Sequence, residues 1–142
     1  MNRTAMILIG LSLAFLGTPV TFGDIITVPD DYATIQEAVN AANNGDEIIV
    51  GPGTYTGTGD QIVDMLGKSI SVSSSDGPEA TILDGESLRR GVTFNNGETL
   101  ETQFNGFTIQ NCVAPLTDLF EEGNPQNYRF GGGILIGFAS AV

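Results

Sequence analysis

Apolar residues recur at helical spacing in one segment near the start of the chain. Four of them occupy positions i, i+3, i+4 and i+7: Ile35, Ala38, Val39 and Ala42. Thr34 and Glu37 match a capping box, and Asn43-Asn44-Gly45 supplies a left-handed stop. The pattern predicts one helix of about two to three turns, which needs a surface to cover because so short a helix is marginal alone.

After this segment the chain contains only short apolar runs, separated by Gly, Asn, Ser and Asp. Such runs, bounded by turn residues, indicate strands with one face in a core. The runs are Ile48–Val50, Ile70–Val72, Ile82–Leu83, Val92–Phe94, Phe107–Ile109 and Ile134–Ile136. No second helix is predicted.

The spacing of these runs predicts the architecture. If the runs at 48, 70, 92, 107 and 134 each open a coil, the starts are separated by 22, 22, 15 and 27 residues. Strands repeated at 20 to 30 residues without helices are typical of solenoids. We therefore expect an all-β fold of about four or five stacked coils, with the helix covering the first coil.

The same residues resemble a known family. Thr34-Ile35-Gln36 opens the helix, Gly45-Asp46 precedes the strand at Ile48–Val50, and Pro52-Gly53-Thr54-Tyr55 follows that strand. This succession is similar to the N-terminal part of the right-handed parallel β-helix proteins of the pectate-lyase-like superfamily, and similar coils follow up to residue 138. The resemblance implies a right-handed parallel β-helix (solenoid) with an N-terminal capping α-helix.

The resemblance leaves the function open. Enzymes of that family cleave or de-esterify acidic polysaccharides with Asp, Arg, Gln or Lys clusters on middle coils, and other members are adhesins or scaffolds. None of those clusters can be placed on this sequence. The resemblance implies an exported, carbohydrate-associated protein related to polysaccharide lyases and esterases, without a recognisable active site. The alternatives are a non-catalytic surface or adhesive scaffold, and a truncated remnant of a longer β-helix protein.

Residues 1–23 have the features of a cleaved signal peptide. Arg3 provides the positive start, Ala5–Leu16 is mainly apolar, and Thr21-Phe22-Gly23 places small residues before a cut at Asp24. The apolar run is shorter than the ~20 residues that a membrane-spanning helix needs. We expect the β-helix domain to comprise residues 24–142 and to reside outside the cell or in the cell envelope, with no membrane attachment after cleavage.

The net charge and the composition limit the classes of binding partner and of catalysis that the chain allows. The formal net charge is −12, which argues against binding to nucleic acid or to an anionic membrane. An acidic polysaccharide would also be repelled unless a cation such as Ca²⁺ bridged the two surfaces. The chain has no histidine and one cysteine, Cys112, so Ser-His and Cys-His catalysis and an intramolecular disulfide are excluded within it.

The longest interruption between strands, Val113–Phe130, contains the candidate ligand contacts. An aromatic ring can stack on a sugar and an arginine can pair with a carboxylate, so Tyr128 and Arg129 are candidate carbohydrate contacts. The alternative is a packed flap that binds no ligand. No residue is predicted to be catalytic.

One pattern for binding Ca²⁺ and one for binding phosphate are each incomplete in the sequence. Carboxylates near turns could bind Ca²⁺, although their spacing follows no known calcium-binding repeat: Asp60, Asp64, Asp76, Asp84 and Glu86. Gly67-Lys68-Ser69 matches the end of a phosphate-binding loop, but Ile62 stands where that loop requires glycine. Lys68 is therefore predicted to begin a strand.

The sequence ends in an apolar stretch, Gly133–Val142, with no polar cap after it. Terminal coils of solenoids normally have a polar outer face, and an uncapped coil exposes unpaired strand backbone. We expect either that this chain is the N-terminal part of a longer β-helix protein or that its open end associates with a partner or with a second copy.

Overall fold

A computed structural model of the chain describes residues 23–114 and 132–136. The described residues form one helix, α1 (Ile35–Ala41), and ten short strands. The strands are β1 (Ile25–Val28), β2 (Glu47–Val50), β3 (Gly53–Tyr55), β4 (Gln61–Asp64), β5 (Ser71–Ser74), β6 (Thr81–Asp84), β7 (Arg90–Phe94), β8 (Gln103–Asn105), β9 (Thr108–Gln110) and β10 (Ile134–Ile136). The protein is thus mostly β. The helix of the described part is too short to cross a membrane.

The strands form three sheets in which every pair is parallel. The first sheet has the order β1-β2-β5-β8, the second β3-β6-β9 and the third β4-β7-β10. The chain therefore passes through the first, second and third sheets in the same order three times. This arrangement is compatible with a parallel β-helix, in agreement with the predicted all-β solenoid.

The series of runs from which four or five coils were predicted does not match the sheets of the described residues. Within the described residues the chain completes three passes through the sheets, and only β1 precedes the first pass. The error arose because runs from different sheets were treated as one series. Ile48 lies opposite Val72 in the first sheet, whereas Val92 lies opposite Val63 in the third.

The core lies between the three sheets because apolar residues alternate with polar ones along the strands. Ile48 and Val72 in the first sheet, Leu83 in the second, and Val63 and Val92 in the third are all fully buried. Their polar neighbours face outward: Glu47 lies opposite Ser71, which lies opposite Gln103. Each added pass therefore extends one continuous core.

Helix α1 begins as the capping box predicts. The Glu37 amide donates to the Thr34 hydroxyl over 3.2 Å, and the Thr34 amide donates to the Glu37 carboxylate over 3.1 Å. The predicted apolar stripe is buried in the core that the strands form: Ile35, Ala38, Val39 and Ala42. The amphipathic pattern thus identified both the helix and its buried face.

The end of α1 differs from the prediction. The helix stops at Ala41, and Gly45, which has a positive φ of 96°, lies four residues further on. The last carbonyls of the helix are instead bound by Lys68, whose Nζ donates to Val39 O, Asn40 O and Ala42 O over 2.7, 2.9 and 2.7 Å. Lys68 lies in the turn before β5, so the prediction that it begins a strand was wrong.

A second contact joins α1 to the third sheet. The Asp64 amide of β4 donates to the Gln36 side-chain oxygen over 2.6 Å, and the Gln36 side-chain amide donates to the Asp64 carbonyl over 3.2 Å. The carboxamide of Gln36 thus offers one donor and one acceptor to the backbone of β4, as a neighbouring strand would. Through this contact the helix N-terminus lies beside the loop that precedes β4.

Candidate functional site

A cleft of about 350 Å³, with both polar and apolar groups in its lining, lies beside the start of α1. The helix contributes Thr34 and Gln36, the loop between β3 and β4 contributes residues 56–59, and β4 contributes Gln61 and Asp64. Ile62 and Leu66 provide the apolar part of its lining. Hydroxyl, carboxamide and carboxylate groups therefore converge at one corner of the molecule.

The loop of the cleft depends on a close backbone approach at Gly57. A Cβ at this position would lie 2.8 Å from the Ile62 Cα and 2.9 Å from the Gln61 carbonyl oxygen, which a side chain does not tolerate. Gly59, two residues later, has open space around it. The loop thus folds tightly against β4 at Gly57 and faces solvent at Gly59.

Asp64 is the charged group of the cleft, and its orientation is fixed. One carboxylate oxygen accepts from the Leu66 amide over 2.9 Å and from the Asn96 side chain over 3.2 Å. The other oxygen accepts from the Gln61 side-chain amide over 3.3 Å. Because an ionised carboxylate offers about four acceptor sites, Asp64 keeps capacity for one further donor.

The remaining groups of the cleft are suited to hydroxyl partners. The hydroxyls of Thr56 and Thr58 make no hydrogen bond within the described residues, and each can both donate and accept. Gln61 uses its amide nitrogen on Asp64, so its side-chain oxygen is a further acceptor. The cleft can therefore satisfy a ligand that carries several hydroxyl groups.

A second polar cluster surrounds Asp84 at the end of β6. Its carboxylate accepts from the Glu86 amide at 2.8 Å, from the Gln110 side chain at 2.9 Å and from the Asn111 side chain at 3.0 and 3.2 Å. These hydrogen bonds, the backbone one first, hold the pKa of Asp84 below its ordinary value. The cluster joins the second and third passes of the chain.

The Asp84 cluster yields a prediction that NMR can check. Asn111 has a positive φ of 52°, so Asn111→Gly removes its amide without backbone strain. We expect the pKa of Asp84 to rise partway toward the ordinary aspartate value, since the Glu86 amide remains. Asp31, whose pKa is lowered by hydrogen bonds from Thr27, should not change and is the internal control. An unchanged Asp84 pKa would show that Asn111 does not bind it in solution.

The sign of the pH dependence follows from the lowered pKa of Asp84. Its contribution to stability is present above the pKa of an unfolded aspartate and is lost as the pH falls through the folded pKa. Asn111→Gly should therefore weaken this contribution at neutral pH and have no effect on it in strong acid.

Cys112 is half-buried beside this cluster. Its thiol donates to the Gln110 carbonyl over 3.2 Å, and its pKa is raised, chiefly by burial and further by the nearby Asp84 charge. A raised pKa disfavours the thiolate, which is the nucleophilic form. The geometry therefore supports a packing role for this cysteine.

The carboxylates considered for Ca²⁺ fall into three separate places: Asp60 and Asp64 at β4, Asp76 after β5, and Asp84 and Glu86 at the end of β6. Asp64 and Asp84 are held by separate amide donors, Glu86 pairs with Arg89 over 2.8 Å, and Asp76 accepts from Ser75. Within residues 23–114 and 132–136, no three acidic, histidine or cysteine side chains are arranged to bind a metal. Calcium binding stays a prediction that the described geometry does not favour.

Several predicted features lie outside the described residues. They are the candidate carbohydrate contacts Tyr128 and Arg129, the signal segment up to residue 22, and the residues after Ile136. A second cavity, of about 400 Å³, lies next to β10 and is lined mainly by apolar residues, among them Phe94, Phe104 and Ile134. Self-association through this end stays a prediction.

Sequence reasoning did not identify the cleft. Asp64 was considered only as a calcium ligand, and Gln36 only as part of the family-like helix start. The signal was weak because the lining comes from three separate segments, and Gln36 lies 28 residues before Asp64. The alternation of Thr and Gly at residues 56–59 was the only local indication of an unusual loop.

Comparison with known proteins assigns no family. No family model, no curated protein and no solved structure matches the chain. The superfamily resemblance therefore stays a hypothesis that rests on the residues quoted above and on the parallel sheets.

Proposed function

We propose that the chain is an exported, right-handed parallel β-helix protein, capped by α1, that binds polysaccharide without cleaving it. The observation that carries the proposal is the cleft beside α1, in which hydroxyl, carboxamide and carboxylate groups from three segments line a common space. Sugars are recognised by such groups because each ring presents several hydroxyls that donate and accept. The export part of the proposal rests on residues 1–23.

The contacts of α1 support its role as a cap. Its buried face shares one core with β2 and β4, Lys68 binds its last carbonyls, and Gln36 occupies the backbone groups of Asp64. An edge strand with unpaired backbone groups promotes aggregation, and the contact of Gln36 with β4 satisfies part of that backbone. Gln36 belongs both to the contact between α1 and β4 and to the lining of the cleft.

The chemistry of the described residues favours binding over cleavage. The hydrogen bonds that Asp84 accepts lower its pKa, which favours the ionised form and disfavours a role as general acid. The Cys112 thiol has a raised pKa. Cleavage of a glycosidic bond requires an acid and a base held across the scissile bond, and the cleft contributes one carboxylate.

The test is a binding and turnover assay on a panel of soluble polysaccharides. The full chain is run by affinity electrophoresis in gels that contain each polysaccharide, while reducing ends and unsaturated products are measured in parallel. We expect retardation without products, and a loss of at least about 5-fold in affinity for Gln61→Ala, since about 1 kcal/mol per hydrogen bond corresponds to that factor.

The matched control is Gln103→Ala, which removes the same side chain from an exposed position on the first sheet. It should bind as the parent does. Products released by the parent protein, or retardation by no polysaccharide, would overturn the proposal.

A further inference from the structure

We infer that the cleft binds an uncharged, hydroxyl-rich glycan and discriminates against chains that carry carboxylates. This inference rests on the proposed function and names its ligand class. It differs from what the family resemblance implies, which is that the ligands are acidic polysaccharides.

The positive side chains of the described residues are all engaged. Lys68 binds three carbonyls at the end of α1. Arg89 pairs with Glu86, donates to the Gly57 carbonyl and keeps only 11 % of its side chain exposed, and Arg90 is 3 % exposed. A uronate is normally recognised by an accessible arginine or lysine, and residues 23–114 and 132–136 present none.

The charged side chain that lines the cleft is negative, and the Arg89 guanidinium, which reaches the Gly57 carbonyl from the neighbouring pass, is paired with Glu86. Asp64 lines the cleft, and the exposed Asp60 and Glu37 lie in the adjoining loop and first helical turn. A ligand carboxylate would bring a like charge toward Asp64, at a cost that decreases as salt is added. The hydroxyls of a neutral sugar can instead donate to Asp64 and to the Gln61 oxygen.

A divalent cation could reverse this preference by bridging two carboxylates. Within the described residues, however, no group of three metal-binding side chains exists to hold it. The net charge of −12 adds long-range repulsion of polyanions at low ionic strength.

The experiment uses pairs of polysaccharides with the same backbone: polygalacturonate and its methyl ester, carboxymethylcellulose and hydroxyethylcellulose, and glucuronoxylan and unsubstituted xylan. Affinity electrophoresis of the full chain is run with EDTA or with Ca²⁺. For every backbone that binds, we expect the uncharged member to bind at least about 10-fold more tightly in 20 mM salt. The ratio should shrink as salt rises to 0.5 M, because screening weakens the repulsion.

Asp64→Asn is the informative variant, because an asparagine oxygen can still accept from the Leu66 amide. It should raise affinity for the acidic members several-fold while changing the neutral members less. Asp76→Asn removes the same charge at a distant turn and is the matched control. If Asp64→Asn fails to fold, the salt dependence of the parent decides the question.

The outcomes separate the two proposals. Equal or tighter binding of the acidic members, with or without Ca²⁺, overturns the inference and leaves polysaccharide binding standing. Binding of no member of any pair overturns the proposed function itself.

Discussion

Replacing Lys68 with methionine will lower the free energy of unfolding by about 3 kcal/mol, since hydrogen bonds to a charged group contribute about 1.5–3 kcal/mol each and three coupled ones do not add fully. The ammonium group binds Val39 O, Asn40 O and Ala42 O, which have no partner inside the helix. It also places a positive charge at the negative end of the helix dipole. Methionine keeps most of the apolar stem and removes these interactions. Urea unfolding followed by circular dichroism measures the change.

Measurements at high salt distinguish the loss of the Lys68 hydrogen bonds from the effect of the changed net charge. Lys68→Met also makes an acidic chain more acidic, and repulsion of that kind is screened at high ionic strength. The loss should therefore persist in 0.5 M NaCl. Glu47→Gln, at an exposed position of the first sheet, is the reference for a surface charge change and should stay within about 0.5 kcal/mol of the parent. A Lys68→Met protein as stable as the parent would show that the helix end is satisfied by water.

Local features of the fold could be predicted from the sequence because their partners are near in the chain. The capping box joins Thr34 to Glu37, three residues away, and the buried stripe follows from helical periodicity alone. The role of Lys68 could not be predicted, because its carbonyl partners lie 26 to 29 residues earlier. Contacts between successive passes of a repeat depend on register, which single residues do not encode.

The arrangement of the strands could also be predicted only in part from the sequence. The apolar runs predicted that strands exist, and the parallel pairing agrees with a solenoid. Their distribution among three sheets could not be predicted, because the corner loops differ in length. Thus 24 residues separate Ile48 from its partner Val72, whereas 32 separate Val72 from Phe104.

Asn111 shows how a residue type can have two structural explanations. An asparagine at a strand end can form a ladder with the backbone of the next coil, or it can adopt a left-handed turn. In the structure Asn111 has a φ of 52° and its side chain binds the Asp84 carboxylate. At this position the structure therefore has the left-handed turn. The contact with Asp84 required the neighbouring pass to be known.

The second large effect concerns Gly91 in β7, where the backbone of the third pass lies close to that of the second. A Cβ at this position would lie 2.4 Å from the Gly133 carbonyl oxygen and 2.8 Å from a methyl group of Ile109. The nearest atom belongs to backbone that also accepts the Val92 amide over 2.9 Å, so relief requires β10 to move away from β7. We expect Gly91→Ala to destabilise the protein by about 3 kcal/mol, at the upper end of ordinary overpacking.

Gly59→Ala is the matched control, because it adds the same methyl group where no atom lies within 4 Å and φ is not positive. It should be neutral or stabilising by up to about 1 kcal/mol, since alanine restricts the unfolded chain. Hydrogen exchange at β10 locates the damage: in Gly91→Ala the amides of Leu135 and Ile136 should exchange faster than in Gly59→Ala. Equal stability and equal exchange in the two variants would mean that β10 does not pair with β7 in this register. The assignment of β10 to the third pass of the chain would then be wrong.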